Sequence, residues 1–552
     1  MAQERIRIIP LGGLGEIGRN MLVIEYEDAS GERAMIIIDA GLMFPENDML
    51  GVDIVIPDLS YVIERAERIK AIIITHGHED HVGALPYLLR RLHAPLYATR
   101  LTRGLIEVKL REARIRDAEL YTIEPKDILE LDPFRIEFFH VSHSIPDGVG
   151  LGIQTPIGLL VHSGDFKFDH SPVDGYPSDF AKLAELGGRG VLLLLSDSTN
   201  SETPGYTPSE QLIGETFARI FAGAEGRVIV ATFASNISRV QQVLDTAQAY
   251  GRRVAIVGRS MINNVRIARE LGYLNVPDDL LINIDQLEQV PNHEITLICT
   301  GSQGEPTSAL VRMAQGNFRP IRVMPGDTVV VSATPIPGNE EFVNRTLDNL
   351  FRLGANVFYD EVLDVHVSGH ASQEEQKMMI NLIQPKYFVP IHGEYRHLFW
   401  HTKLAQQCGV APENIFVMET GDVLELDANG ARIVDHVGDS HVFVDGRGVG
   451  DVGISVIEER QALARNGFLT VMVMLDKYTG GLVAEPQIVT RGFINGPDAA
   501  DFIDKMEDEV VRIVQRGGTR AEITDRLETA LAHLIYEETG RRPMVIPVVT
   551  KI

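Results

Sequence analysis

The feature that most constrains this chain is Thr75-His76-Gly77-His78-Glu79-Asp80-His81, set directly behind the apolar run Ala71-Ile72-Ile73-Ile74. The run reads as a buried strand, and the amphipathic residues 82–92 beyond the loop read as a helix. Strand, loop and helix in that order place the loop at the C-terminal edge of a sheet, where α/β folds gather their chemistry. Imidazole and carboxylate together suit a divalent transition metal, zinc first and manganese second. A lone histidine is usually a surface or satisfied core residue. A His-x-His-x-Asp-His order behind isoleucines is not explained that way. His76 and His78, two residues apart, can turn toward one ion, and Asp80 and His81 can face a second as the chain bends. One loop cannot close a site around two ions, so further ligands are expected downstream.

At 552 residues the chain exceeds one ordinary core, and two or three domains are expected. Apolar content of 44% and charged content of 23% are those of a globular protein in water. Cys299 and Cys408 lie in separate segments without a CxxC pair. A disulfide scaffold or thiolate metal site is therefore not expected, and a reducing cytoplasm is. The N-terminus shows no basic-then-apolar leader pattern, and no run reaches the roughly 18 apolar residues of a membrane span. A net charge of −26 argues against indiscriminate polyanion binding. RNA stays open, because metals, backbone amides and a local basic channel can hold it against an acidic exterior.

Residues 5–11 read as a strand, followed by Gly13-Leu14-Gly15-Glu16-Ile17-Gly18, a literal G-x-G-x-x-G. A dinucleotide site needs a helix next, whereas Asn20-Met21-Leu22-Val23-Ile24 is strand-like, so the glycines read as a turn between strands whose open backbone can line a site. Asp39 ends another isoleucine strand, either as a turn former or as an orienting partner for a metal-bound histidine. Residues 44–58 are acidic and irregular. His143 and Asp165 fall at later strand ends, while His140 and His162 count as core or supporting residues by period-2 spacing. Residues 191–195 form a further strand, ending at Asp197. Repeated strand–helix units then run to about 360, as in an inserted parallel α/β domain. Within them Thr300-Gly301-Ser302-Gln303-Gly304 reads as a turn. His366-Val367-Ser368-Gly369-His370 opens the return to the first domain, and His392 stands at the end of the strand Tyr387-Phe388-Val389-Pro390-Ile391. A linker or short helix at 450–465 leads to a small α/β tail, with a strand at 469–475. The tail has an apolar helical stripe (Phe502, Ile503, Met506, Val510, Ile513, Val514) and a second helix begun by a capping box at Thr519 and Glu522.

The His-x-His-x-Asp-His loop resembles the signature of the metallo-β-lactamase superfamily. Asp197, His370 and the late His392 match the three extra motifs of its β-CASP group. Leu11-Gly12-Gly13-Leu14-Gly15-Glu16-Ile17-Gly18, Ser196-Asp197-Ser198-Thr199-Asn200-Ser201, Ala231-Thr232-Phe233-Ala234-Ser235-Asn236, His366-Val367-Ser368-Gly369-His370 and Pro390-Ile391-His392-Gly393-Glu394-Tyr395 are similar to bacterial ribonuclease J over essentially the whole length. The resemblance implies an α/β fold: a metallo-β-lactamase αββα sandwich with an inserted parallel α/β β-CASP domain and a small C-terminal α/β domain. The expected boundaries are 1–208 and 363–448 for the sandwich, 209–362 for the insertion, 449–465 for the linker and 466–552 for the tail.

The same resemblance implies a ligand set. His76, His78, His143 and Asp165 would hold one ion. Asp80, His81, His392 and the bridging Asp165 would hold the other. A water activated by two metals would attack phosphorus in line and leave 5′-phosphate products. Asp197 and His370 are both candidates for the acid that protonates the departing 3′-oxygen. Phe233, Ala234 and Ser235, with His366, Val367, Ser368, Gly369 and His370, match substrate-holding positions. The implied substrate is single-stranded RNA with a 5′-monophosphate, trimmed 5′ to 3′ and also cut internally, in RNA processing and decay. A structural calcium ion at Leu50, Val52 and Asp445, a homodimer or tetramer built through the tail, and partners from an RNA-degradation complex are implied as well. Three alternatives compete. A small-molecule metallohydrolase of lactamase or thioesterase type explains the loop but neither His392 nor the insertion. A DNA-directed β-CASP nuclease would use the same site. A non-catalytic RNA-binding scaffold is hard to square with an intact ligand set.

Overall fold

The computed structural model describes residues 3–438, 441–494 and 498–552. Two compact units result, one of Met1–Phe44 and Ile54–Val442, the other of Pro45–Asp53 and Phe443–Ile552.

Among the described residues of the first unit, two sheets form a sandwich. The larger has eight strands and is centred on Arg5–Gly12, Met21–Glu27, Arg33–Ile38 and Ile69–Ile73. The other has six, including Phe134–His140, Val149–Gln154, Leu159–His162, Val191–Asp197 and Tyr387–Ile391. Alternation decides what packs where. Ile8, Ile24, Ile36 and Ile73 from one sheet meet Phe138, Leu151, Leu160, Leu193 and Val389 from the other. The opposite side of the six-stranded sheet, with Phe139, Val161, Leu194 and Phe388, is covered by the helices Phe180–Gly188 and Gln373–Ile383. The strands Leu159–His162, Val191–Asp197 and Tyr387–Ile391 run parallel side by side, so their C-terminal ends open on one edge.

Between the second and third of these strands the chain builds a five-stranded parallel sheet. Near-continuous apolar strands such as Val228–Ala231 and Thr328–Val331 require cover on both faces. Val228, Val230 and Val330 face the helices Gln211–Gly223 and Ile237–Ala249, and Ile229, Ala231 and Val329 face Ala309–Ala314 and Glu340–Arg352. The insertion also packs on the sandwich. A Cβ at Gly104, in the helix Arg100–Glu112, would meet Ile267 and Leu271 of the insertion at 2.9 Å.

In the second unit, Phe468–Leu475 pairs antiparallel with Gln487–Arg491 and parallel with Met544–Lys551. The helices Asp498–Gln515 and Arg520–Thr539 cover one face through Met506, Val510, Leu527 and Leu531, and the capping box at Thr519 and Glu522 is formed. The expected linker is mostly the 13-residue helix Ile454–Asn466, which ends just past it.

Two local expectations differ. Residues 82–92 do not form one helix. They hold parts of two single turns, Glu79–Val82 and Leu85–Leu88, broken around Gly83, whose Cβ would lie 2.3 Å from Leu42. The irregular residues 44–58 include the strand Ile54–Pro57.

Candidate metal centre

The strand Ile69–Ile73 delivers the histidine loop to the edge of the eight-stranded sheet, and Asp80 and His81 lie on the turn Glu79–Val82. Backbone groups grip that turn. Asn20 N donates to Asp80 O at 3.0 Å, Ala40 N to His81 O at 2.8 Å and Leu42 N to Glu79 O at 3.1 Å. Gly41 is required by this closeness, since a Cβ there would stand 1.5 Å from Asp80 O. His143, Asp165 and His392 arrive just beyond strands of the six-stranded sheet, and Asp197 ends its own strand. The glycine-rich turn contributes as well. Leu14–Gly15 pairs with Gly393–Glu394, and Gly13 O accepts from His392 N at 3.2 Å.

The ligand atoms fall into two clusters. His78 Nδ1 is 3.0 Å from His76 Nε2 and 3.1 Å from His143 Nε2. In the second cluster, Asp165 Oδ2 is 3.2 Å from His81 Nε2 and 3.3 Å from His392 Nε2, while Asp80 Oδ2 is 3.4 and 3.3 Å from the same two nitrogens. Ligands about 2.0–2.1 Å from one ion stand about 3.3–3.4 Å apart in a tetrahedron, a spacing the second cluster matches while the first is tighter. Asp165 Oδ2 also lies 3.7 Å from His76 Nε2 and 4.0 Å from His143 Nε2, between the two clusters. All seven predicted ligands are thus brought together, and the residues fit a pair of divalent cations. Glu79 is not among them and pairs with Lys109 at 2.6 Å.

In the first cluster the electrostatics agree with that donor chemistry, and in the second the carboxylates draw positive charge into the site. Burial holds His76 and His143 well below the usual imidazole range and His78 at about 4, leaving neutral nitrogens free to ligate. Burial also disfavours charge on His81 and His392, but Asp165 and the other facing carboxylates outweigh it and raise both well above normal. Burial opposes ionisation of Asp80 and Asp165 too. The neighbouring histidines overcome it and hold both carboxyls well below their ordinary range.

Orienting partners surround the ligands. Asp39 Oδ2 accepts from His81 Nδ1 at 2.8 Å, the second of the two roles open to it, and its φ of 62° shows that it also forms the turn. Asp197 Oδ2 accepts from His370 Nδ1 at 2.8 Å, and Gly369 O from His143 Nδ1 at 2.8 Å. Sequence reasoning missed Asn20, Thr75, Thr199 and Asn200. Asn20 Nδ2 donates to Asp80 Oδ2 at 3.2 Å, and Asn200 Nδ2 to Ser368 Oγ at 2.8 Å and His370 O at 3.0 Å. Asn20 lies beside the glycine-rich turn and the other three inside motifs, which gave their place without their role. His162 accepts from Gly164 N, and His140 meets Pro177 O, so both support rather than ligate.

Of the expected substrate positions, Ser368, Gly369 and His370 stand at the centre. Val367 is buried, and His366 is pushed down to about 3 by burial and then by Arg239. Phe233, Ala234 and Ser235 lie on the turn before the helix Ile237–Ala249. Arg239 of that helix donates to Val365 O at 2.9 Å and so ties the turn to the His366–His370 segment. Two of the three groups expected at a calcium site meet one side chain. Leu50 O and Asp445 Oδ2 converge on the Arg460 guanidinium, at 2.9 and 2.6 Å. Val52, the third, is buried.

Comparison with known proteins agrees with this architecture. Family models match as follows: the metallo-β-lactamase superfamily over 14–202, the ribonuclease J β-CASP domain over 225–350, the Zn-dependent metallo-hydrolase RNA specificity domain over 359–418, and the ribonuclease J C-terminal domain over 455–552. The protein named ribonuclease J2 of Bacillus subtilis is 42% identical over 555 residues, covering 100% of this chain and 99% of that one. Ribonuclease J 1 of Streptococcus pyogenes is 42% identical, with 99% and 98% covered, and ribonuclease J 2 of Staphylococcus aureus is 41% identical, again with 99% and 98% covered. A solved structure of a protein of unknown function from Enterococcus faecalis shares the fold, with a TM-score of 0.53 and 16% identity over 80% of this chain and 100% of that one. A chain matched over its full length at this identity, with the paired histidine–carboxylate centre intact, belongs to the ribonuclease J family.

Proposed function

We propose that this chain hydrolyses RNA 5′ to 3′ from 5′-monophosphate ends and also cuts internally, at the paired centre. It is a metal-dependent ribonuclease, and hydrolysis at this centre is supported by one observation above all. The Asp197–His370 pair stands against both clusters, with His370 stacked on His392 at 5.1 Å and edge-on to His143 at 4.9 Å. Two divalent ions held there, zinc or manganese, would acidify water and neutralise charge on the phosphoryl oxygens. The chain's own residues do the rest. Asp197 is fully buried, and both its oxygens are engaged by Thr199, Phe166 and His370. His370 is half-buried with Nδ1 tied down, which leaves Nε2 for proton transfer to the departing 3′-oxygen. We therefore assign the acid to His370 and its positioning to Asp197. In-line attack then gives a 5′-phosphate on one product and a 3′-hydroxyl on the other.

Ser368 Oγ, the Gly369 backbone and His366 are the groups we assign to the 5′-phosphate, with Phe233 placed to stack on a base. For assembly we favour a homodimer, with a tetramer built from it, through the tail sheet. The face turned away from its helices exposes Met472, Met474, Ile546 and Val548. Other RNA-degradation proteins are the expected partners. A reducing cytoplasm suits the free thiols Cys299 and Cys408.

The test uses one 5′-labelled RNA carrying either a monophosphate or a triphosphate, a DNA of the same sequence, and a His78→Ala variant, with Mn²⁺ or Zn²⁺. Labelled mononucleotide should appear from the monophosphate RNA, slowly from the triphosphate RNA, and not with the variant. Internal cuts alone would remove the end-sensing role. Cleavage of DNA in preference to RNA would overturn the substrate assignment.

A further inference from the structure

A neutral imidazole carries one proton and can offer either nitrogen, so a ligand histidine must be told which to turn outward. Four of the five ligand histidines offer Nε2 to the clusters and one, His78, offers Nδ1. For His81 and His143 the instruction is direct, since a carboxylate or carbonyl that can only accept faces Nδ1. Among the described residues, His76 and His392 have no such neighbour at hydrogen-bond distance from Nδ1. Asp197 Oδ1 is 3.6 Å from His392 Nδ1. What stands there instead is a hydroxyl. Thr75 Oγ1 is 3.1 Å from His76 Nδ1, and Thr199 Oγ1 is 2.7 Å from His392 Nδ1.

A hydroxyl alone is ambiguous, because it both donates and accepts. Here the ambiguity is removed. Thr75 Oγ1 donates to Asp39 Oδ2 at 2.8 Å, and Thr199 Oγ1 donates to Asp197 Oδ1 at 2.8 Å. Each carboxylate is held to its threonine a second time, by the backbone N–H of that residue, at 2.8 and 3.0 Å. With its one proton committed, each hydroxyl can only accept, and the facing Nδ1 must carry the hydrogen. We propose that Thr75 and Thr199 are positioning residues of the metal centre, each relaying a buried carboxylate to a ligand histidine and thereby fixing the tautomer that presents Nε2. The two units have the same construction. Each carboxylate orients one histidine directly (His81 or His370) and a second through its threonine. The two threonines serve different ions, however: Thr75 acts on the His76 cluster and Thr199 on the His392 cluster.

This inference rests on the two-ion reading, and its test reads metal rather than RNA cleavage. Metal-stripped full-length protein would be titrated with Zn²⁺ against a chromophoric chelator and with Co²⁺ by visible absorption. Thr199→Val keeps the shape and deletes the hydroxyl, and Thr199→Ser restores it; Thr75→Val and Thr75→Ser form the matching pair. Thr199→Val should weaken one of the two ions about 10–100-fold and leave the other at the unaltered value, Thr75→Val should weaken the other, and both serine variants should bind normally. Unchanged affinities and an unchanged Co²⁺ spectrum in Thr199→Val would overturn the relay. So would equal weakening of both ions with a lowered melting temperature, the mark of a packing role. Failure of the unaltered protein to take up any ion would instead overturn the two-ion reading, and the relay with it.

Discussion

His392 holds a φ of 57°, a left-handed conformation that costs a non-glycine residue about 1–3 kcal/mol. The surrounding structure imposes it: Gly13 O takes its N–H, Gly393 pairs with Leu14, and Thr199 takes its Nδ1. Strain kept at a ligand position is strain with a use, and His392→Ala should remove the second ion. RNA cleavage should fall by more than about a hundredfold, since even an orienting partner typically costs about 10–100-fold. Gly41→Ala tests the same centre from the opposite side. The added carbon meets Asp80 O, so metal uptake should fall although no ligand has changed, as a metal-content measurement would read. The ligands themselves were legible because imidazole and carboxylate gathered at the ends of apolar strands have few uses besides holding a metal. Thr75 and Thr199 were not, because a hydroxyl's role depends on which carboxylate lies beside it, and Asp39 is 36 positions from Thr75.

At the scale of elements, the entry to and exit from the insertion are held together by one buried cation. Arg239 is fully buried, pairs with Glu210 at 2.8 Å and bonds Ser332 and Val365 O. Removing one partner leaves an uncompensated buried charge, so Arg239→Met should cost about 3–5 kcal/mol in denaturant unfolding. The Glu210→Met/Arg239→Met double variant should regain much of that loss. In the second unit, Arg460→Ala should cost only about 1 kcal/mol, because its ion pair with Asp445 is screened by solvent. Apolar runs and capping residues announced most strands and helices here, including the Thr519 capping box. The helix expected over 82–92 failed because Pro86 has no N–H to bond back to Val82 and starts a new turn instead.

At the scale of the molecule, a two-sheet sandwich is interrupted by a parallel α/β insertion and completed by His392 after it. The insertion was legible because repeated strand–helix units separate Asp197 from His370 and His392. How Arg239 joins the Phe233 turn to the His366–His370 segment was not legible, because it depends on packing between distant elements. The central claim is that ligands from both sides of the insertion form one two-ion centre that cleaves RNA. The most direct measurement strips the protein of metal and adds back Mn²⁺ or Zn²⁺ stepwise, reading bound metal and RNA cleavage in the same samples. Two equivalents per chain, with cleavage rising as the second binds, is the predicted result. Full cleavage with one equivalent, or none with two, would contradict it.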